Sequence, residues 1–92
     1  MKTKTDMFLY ELTEALRQNG CTLIGHIKGF VNAKDKGHLM FSITSFKEGP
    51  RFKGEITGTI SSAILTVNII VYGIGQKNIE TIFKKAFDKH FK

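Results

Sequence analysis

The chain has 92 residues, of which 41% are hydrophobic and 24% are charged, a composition typical of one globular domain and not of a disordered segment. A chain of this length can build one core between two layers, which excludes a large multi-domain enzyme. Fourteen Lys and Arg residues against eight Asp and Glu residues give a formal net charge of +6, which favours polyanionic partners and also keeps a small protein soluble.

The cysteine content and the hydropathy of the chain indicate in which cellular compartment the protein is located. Cys21 is the only cysteine, so the sequence excludes an internal disulfide and a structural zinc site of the usual multi-cysteine type. Uninterrupted apolar runs are short, as at residues 69–72, and far from the roughly 20 residues of a transmembrane helix. The basic N-terminus is followed by no apolar signal core. We therefore expect a cytoplasmic protein with no membrane span.

The N-terminal segment has a helical pattern. Its apolar residues recur at spacings of three and four: Phe8, Leu12, Ala15 and Leu16. This pattern predicts an amphipathic helix over about residues 6–19. Thr5 or Asp6 is expected to be its N-cap, and Gly20 stands where a left-handed residue usually ends a helix.

From Cys21 onward the apolar pattern has the two-residue period of strands. The first two strands are expected at about residues 21–33 and 38–46, joined by a tight turn that ends at Gly37. A three-residue hairpin loop would place Val31 opposite Phe41. Two further strands follow at about residues 51–60 and 63–72, separated from the rest by turn residues.

The C-terminal segment has the strongest periodic signal. Its apolar stripe consists of Ile79, Ile82, Phe83, Ala86, Phe87, His90 and Phe91, which predicts a helix over about residues 77–91. The resulting α-β-β-β-β-α order predicts a single α+β domain over residues 1–92. We expect a two-layer sandwich, in which a four-stranded antiparallel meander has both helices on one face.

The face of the sheet turned away from the helices is the first candidate site. The alternation assigns to this open face Ile24, His26, Lys28, Phe30, Met40, Ser42, Thr44, Phe46, Lys53, Glu55, Thr57, Ile70 and Tyr72. We expect Lys28, Thr44 and Lys53 in one cross-strand row with Phe30 and Tyr72 nearby. Lysines that neutralise phosphates beside rings that stack on bases are typical of single-strand nucleic-acid binders.

An exposed apolar face is equally typical of a homodimer interface. Two hypotheses therefore remain open for this face, self-association and binding of single-stranded nucleic acid. In either case Lys28, Phe30, Lys53 and Tyr72 are the expected contact residues. Self-association is slightly favoured, and the lysines inside the patch keep nucleic acid as an alternative, because the centre of a protein interface usually excludes lysine.

The turn before the last helix is the second candidate site. A strand ends at Gly73 and a helix opens after Gly75, so free backbone N–H groups and Lys77 could hold a small phosphorylated or carboxylated ligand. Asn78 stands where a dinucleotide-binding fingerprint has its third glycine. The alternative hypothesis for the protein is thus a small-anion receptor, or an enzyme, at Gly73, Gly75 and Lys77.

The sequence offers little support for catalysis. It contains no nucleophile elbow, no metalloprotease motif and no clustered ligand set, and its three histidines are scattered along the chain. We expect no catalytic residue, no metal and no cofactor, and we lean against an enzyme. The leading prediction is a small basic binding or assembly module that acts through the open face of its sheet.

Overall fold

Two helices cover one face of a four-stranded antiparallel sheet in the computed structural model, which describes residues 2–58, 60 and 62–91. The elements are α1 (Lys2–Gln18), β1 (Leu23–Asn32), a 3-10 turn (Lys34–Lys36), β2 (Gly37–Ile43), β3 (Arg51–Ile56), β4 (Ile64–Tyr72) and α2 (Gln76–Phe91). The predicted α+β class, element order and antiparallel sheet are confirmed. Within the described residues, neither helix is long and apolar enough to cross a membrane.

The core lies between α1 and the two central strands. Its fully or nearly fully buried side chains are Phe8, Leu9, Leu12, Leu16, Ile24, Ile27, Val31, Leu39, Phe41, Ile43, Ile82 and Ala86. Burying a side chain of this size contributes about 1.5–3 kcal/mol. Among the described residues, β3 and β4 add only half-buried side chains to this core, so its best-packed part is the contact of α1 with β1 and β2.

The N-terminal helix starts earlier than predicted. α1 begins at Lys2, and Thr5 is an interior residue of the helix rather than its N-cap. Thr5 is fully buried because it continues the buried stripe one turn before Phe8. The predicted end of α1 is confirmed: Gly20 has a φ of +104°, and the Cys21 N–H donates to the Leu16 carbonyl at 3.0 Å.

The β1–β2 hairpin has a different register from the predicted one. Val31 lies opposite Leu39, and Phe41 lies opposite Gly29, a shift of two residues. The cause is the turn: the 3-10 segment lets β2 begin at Gly37, which occupies the left-handed region with a φ of +107°. A shift of two preserves the alternation of faces, so the assignment of Leu39 and Phe41 to the core face is confirmed.

A β-bulge reverses the faces at the start of β1. The pairing with β4 slips by one residue between Ile24 and His26, which leaves Gly25 as the extra residue. Ile24 is therefore buried at 3% exposure, and Leu23 is 58% exposed. The prediction that Ile24 lies on the open face was wrong, because alternation cannot be extended through a bulge.

Strands β2 and β3 are shorter than predicted. β2 ends at Ile43, and Phe46 beyond it packs against the core instead of lying on the open face. β3 ends at Ile56; of the further residues predicted for it, Thr59 lies outside the described residues. The segment after β3 leaves the sheet at the hairpin turn, where the Thr57 N–H donates to the Lys36 carbonyl at 3.0 Å.

The order of strands in the sheet is β3-β2-β1-β4. The first three strands are consecutive neighbours, and β4 lies beside β1 on the other side. β3 ends and β4 begins beside the β1–β2 turn, since Ile56 pairs with Gly37 and Ile64 pairs with Asn32. β3 and β4 are therefore the two edge strands.

Candidate nucleic-acid interface

The pairings across the sheet define which side chains are neighbours on the open face. One row contains Lys28 of β1, Ser42 of β2 and Arg51 of β3. The next row contains Phe30, Met40 and Lys53. Lys28 and Lys53 are thus in adjacent rows rather than in the single predicted row with Thr44, because Lys28 pairs with Ser42 and Lys53 pairs with Met40.

Three cationic side chains surround a shallow depression on this face. The depression has a volume of about 320 Å³, and its cationic lining residues are Lys28, Arg51 and Lys53. Ser42 and Met40 lie between them. Because neighbouring strands are roughly 4.8 Å apart, Lys28 and Arg51 are separated by about 10 Å at the backbone, with Ser42 in the middle. All three cations are solvent-exposed.

Arg51 was missed as a site residue. It is the first residue of β3 and has the same parity as Lys53, so the alternation already contained the signal, but Arg51 was left out of the predicted open-face set. The Arg51 guanidinium lies 3.3 Å from the Glu48 carboxylate, in a pair whose side chains are 79% and 54% exposed. Such an exposed pair is weak, so Arg51 can exchange Glu48 for another anion.

Aromatic and apolar surface adjoins the cations. Phe30 is half-buried, and its ring centroid lies 5.7 Å from that of His38 in a tilted arrangement. Met40, between Phe30 and Lys53 in the same row, is 40% exposed. Of the four predicted contact residues, the structure therefore brings three together: Lys28, Phe30 and Lys53.

Tyr72 lies apart from this cluster. It is on the open face and 53% exposed, but it pairs with Leu23, whereas Lys28 pairs with Asn68. Four residues along a strand correspond to about 13 Å. Tyr72 forms a separate patch with Ile70 and Leu23 at the other end of the sheet, so the prediction that it adjoins Lys28 was wrong.

Within the helices and strands, the excess of positive charge lies on the sheet and on α2, which carries four lysines and two carboxylates. The strands carry Lys28, Arg51 and Lys53 against the single carboxylate of Glu55. On α1 three cations are balanced by three carboxylates: Lys2, Lys4, Arg17, Asp6, Glu11 and Glu14. The basic character of the sheet is therefore concentrated around the depression, where the nearest carboxylates are those of Glu48 and Glu55.

The predicted anion site lies at the turn between β4 and α2. Gly73 has a φ of +95° and packs against the backbone of Gly20, which explains the glycine there. Gly75 has no atom within 4 Å of the position of an added Cβ, and its carbonyl accepts from the Ile79 N–H at 3.1 Å. Lys77 is exposed. These contacts account for a plain strand-to-helix turn, and anion binding at this turn stays a prediction.

A larger groove, of about 530 Å³, lies between α1, the end of α2 and the β2–β3 loop. Four of its charged groups form two pairs: Lys89 donates to Glu11 at 2.7 Å, and Arg17 pairs with Glu14. The hydrogen bond from Lys89 lowers the pKa of Glu11, and Glu14 raises the pKa of Arg17. Because these charges already have partners, the groove is a weaker candidate for a ligand than the open face.

The titratable residues do not form a reactive cluster within the described part of the chain. Cys21 is buried, and its thiol lies 3.5 Å from the Leu23 carbonyl. His26 on the open face contacts Asn68 at 3.5 Å. Among residues 2–58, 60 and 62–91, no three His, Cys, Asp or Glu side chains are arranged to hold a metal ion.

Comparison with known proteins adds no further constraint. No protein-family model, no curated protein and no solved structure matches the chain.

Proposed function

We propose that the protein is a small binding module that holds single-stranded nucleic acid, or an equivalent flexible polyphosphate strand, on the open face of its sheet. The observation that carries the proposal is the group of three exposed cations, Lys28, Arg51 and Lys53, around one depression. Cations at this spacing can neutralise successive phosphates of one strand. Phe30 and Met40 beside them offer apolar surface for bases.

The same charges argue against face-to-face self-association, the other hypothesis for this face. Packing two open faces together would bring Lys28, Arg51 and Lys53 of each copy into an interface centre. Burying like charges without partners is strongly unfavourable. Glu48 and Glu55 supply only two carboxylates in the neighbourhood of three cations, so a second copy does not neutralise them. A polyanion neutralises all three.

The test is a fluorescence-anisotropy titration of a labelled mixed-sequence single-stranded oligonucleotide at several salt concentrations. Log affinity for a single strand falls with log salt by about 0.7 for each phosphate contact. We expect the double variant Lys28→Gln/Lys53→Gln to bind more weakly and to lower the slope by about 1.4. The matched control is Lys84→Gln/Lys85→Gln on α2, which removes the same charge from exposed helix positions.

Three outcomes would contradict the proposal. The first is absence of binding by the wild type at low salt. The second is an equal loss of affinity in the control variant, because net charge alone would then explain the binding. The third is binding to anionic phospholipid vesicles that is stronger than to the oligonucleotide and depends on the same lysines.

A separate variant tests the apolar part of the site. Phe30→Leu keeps an apolar side chain in the half-buried position and removes the aromatic ring. We expect weaker oligonucleotide binding with an unchanged salt slope, because base stacking contributes about 1–3 kcal/mol per base and involves no counterion release. An unchanged affinity would remove Phe30 from the site.

A further inference from the structure

The outer edge of β4 is open for pairing. β4 pairs only with β1 among the described residues, and its nine residues, ILTVNIIVY, include no charge, proline or glycine. In a strand, alternate residues direct their backbone N–H and C=O groups to opposite edges, so half of these groups on β4 face outward. Edge strands of natural proteins usually carry lysine, proline or a bulge that prevents further pairing. The sequence of β4 has none of these.

Apolar side chains beside this edge are only half-buried. Those on the helix side of β4 are Leu65, Val67, Ile69 and Val71. A groove of about 450 Å³ runs between Val67 and Ile69 on β4 and Ile79 and Phe83 on α2. By contrast, Ile43 on the central strand β2 is 2% exposed. α1 thus covers the apolar side chains at the centre of the sheet, whereas those of β4 remain partly exposed to solvent.

Charge decides which occupant fits the edge. The chain has a formal net charge of +6, and β4 contributes nothing to it. An acidic peptide or a nucleic acid would find no cation along this strand. Two copies of a basic chain repel each other least where neither carries charge. A neutral, apolar strand is therefore the matching occupant, and β4 of a second copy is such a strand.

The helix-side residues of β4 are complementary to themselves in one antiparallel register. When Asn68 lies opposite Asn68 of the partner subunit, Val67 faces the partner's Ile69, and Leu65 faces the partner's Val71. All of these contacts join aliphatic side chains, which are favourable cross-strand pairs.

The open-face residues match in the same register. Ile64 faces the partner's Tyr72, and Thr66 faces the partner's Ile70. Ile64, Tyr72 and Ile70 are 63%, 53% and 40% exposed in the single chain, so pairing would cover three exposed apolar side chains of the sheet. The two-fold axis then passes beside the neutral amide of Asn68.

We propose that β4 is a homodimerisation strand, which pairs antiparallel with β4 of a second copy around Asn68 and forms a continuous eight-stranded sheet. The opposite edge strand limits assembly to two copies, since β3 carries the charged residues Arg51, Lys53 and Glu55 and has a glycine with a φ of +95° at position 54. Such features block edge pairing. A closed two-fold dimer results, because each copy has only one open edge.

The experiment measures dimerisation by sedimentation equilibrium of the full chain, without nucleic acid. The wild type is expected to reach twice the 10.4 kDa of one chain. Asn68→Lys and Asn68→Asp each place like charges opposite each other at the axis, so each variant alone should dimerise several-fold more weakly. An equimolar mixture of the two should recover the wild-type affinity, because opposite charges then face each other. Asn78→Lys, exposed at the start of α2, is the control for added charge.

Amide hydrogen exchange on the wild type identifies the interface. Every second amide of β4 bonds to β1 and is protected in the single chain, and the alternate amides should gain protection as protein concentration rises. A wild type that stays monomeric up to millimolar concentration overturns the proposal. So does a dimer whose outward β4 amides exchange rapidly, or a mixture of Asn68→Lys and Asn68→Asp that associates no better than either alone. None of these results depends on nucleic-acid binding.

Discussion

Gly29, in the middle of β1, is occupied on its core side by the ring of Phe41. A Cβ atom added at Gly29 would lie 2.1 Å from Cζ, 2.6 Å from Cε1 and 2.8 Å from Cε2 of that ring. Carbon atoms in contact are normally about 3.5–4.0 Å apart, so Gly29→Ala requires the ring to move by roughly 1.4 Å. Phe41 is only 3% exposed, and its neighbours in the core leave it little room to move.

We expect Gly29→Ala to lower the free energy of unfolding by about 2 kcal/mol, within the range of overpacked cores. For a domain of this size that corresponds to a fall in Tm of about 8–16 °C. Gly29 lies outside the left-handed region, so the backbone accepts alanine and the loss reports the contact with Phe41. The control is Gly75→Ala, where no atom lies within 4 Å of the new Cβ, and we expect it to be neutral or slightly stabilising.

The assay is urea denaturation followed by circular dichroism, applied to a double-mutant cycle. Phe41→Leu alone leaves a cavity and destabilises the protein. In the Phe41→Leu background the new methyl group of Gly29→Ala has space. The double variant should therefore lose less free energy of unfolding than the two single variants together, with a coupling of about 0.5–3 kcal/mol. The packing of Phe41 over Gly29 would be refuted if Gly29→Ala were as stable as the wild type, or if the two losses of free energy were strictly additive in the cycle.

Two further substitutions test the helix layer. Thr5→Val should stabilise the protein by about 1 kcal/mol in urea denaturation, since the Thr5 hydroxyl is buried and has no hydrogen-bond partner among the described residues. Thr13→Val, whose hydroxyl donates to the Leu9 carbonyl at 3.0 Å, should give no such gain, and equal effects would contradict this reasoning. Glu11→Gln should lower stability at neutral pH by less than about 1 kcal/mol, because the pair with Lys89 is partly exposed. The pKa of Glu11 is lowered in the folded state. The difference in stability between the wild type and Glu11→Gln should therefore be present at pH values above the ordinary pKa of 4.5 and disappear as the pH falls through the lowered pKa. A difference that persists in acid would exclude the ion pair as its cause.

The sequence predicted what depends on neighbouring residues along the chain. The helical period of α2 and the two-residue period of β4 follow from the spacing of apolar residues. Alternation was enough to assign Leu39 to the core face and Lys28 to the open face. These assignments held because a helix or a strand fixes the direction of each side chain relative to the next.

The candidate site was only partly predictable, because it combines residues from three strands. Lys28, Phe30 and Lys53 were predicted to share a face, and the structure places them there. Arg51 was missed at the start of its strand, and Tyr72 was expected too close to Lys28. The error for Arg51 was avoidable, because its alternation with Lys53 already places it on the open face. The error for Tyr72 concerns the position of one strand relative to another, which the residues of a single strand do not specify.

The amino-acid sequence by itself thus determined the types of the elements and the faces of the central strands, since both follow from local periodicity. The tertiary structure decided the hairpin register, the bulge at Gly25 and the place of β4 beside β1. These features depend on contacts between segments distant in sequence, such as the ring of Phe41 over Gly29 and the Thr57 N–H at the hairpin turn. The open edge of β4 and the grouping of the cations around Ser42 follow from those contacts, because local spacing assigns a residue to a face and does not determine its neighbours on other strands.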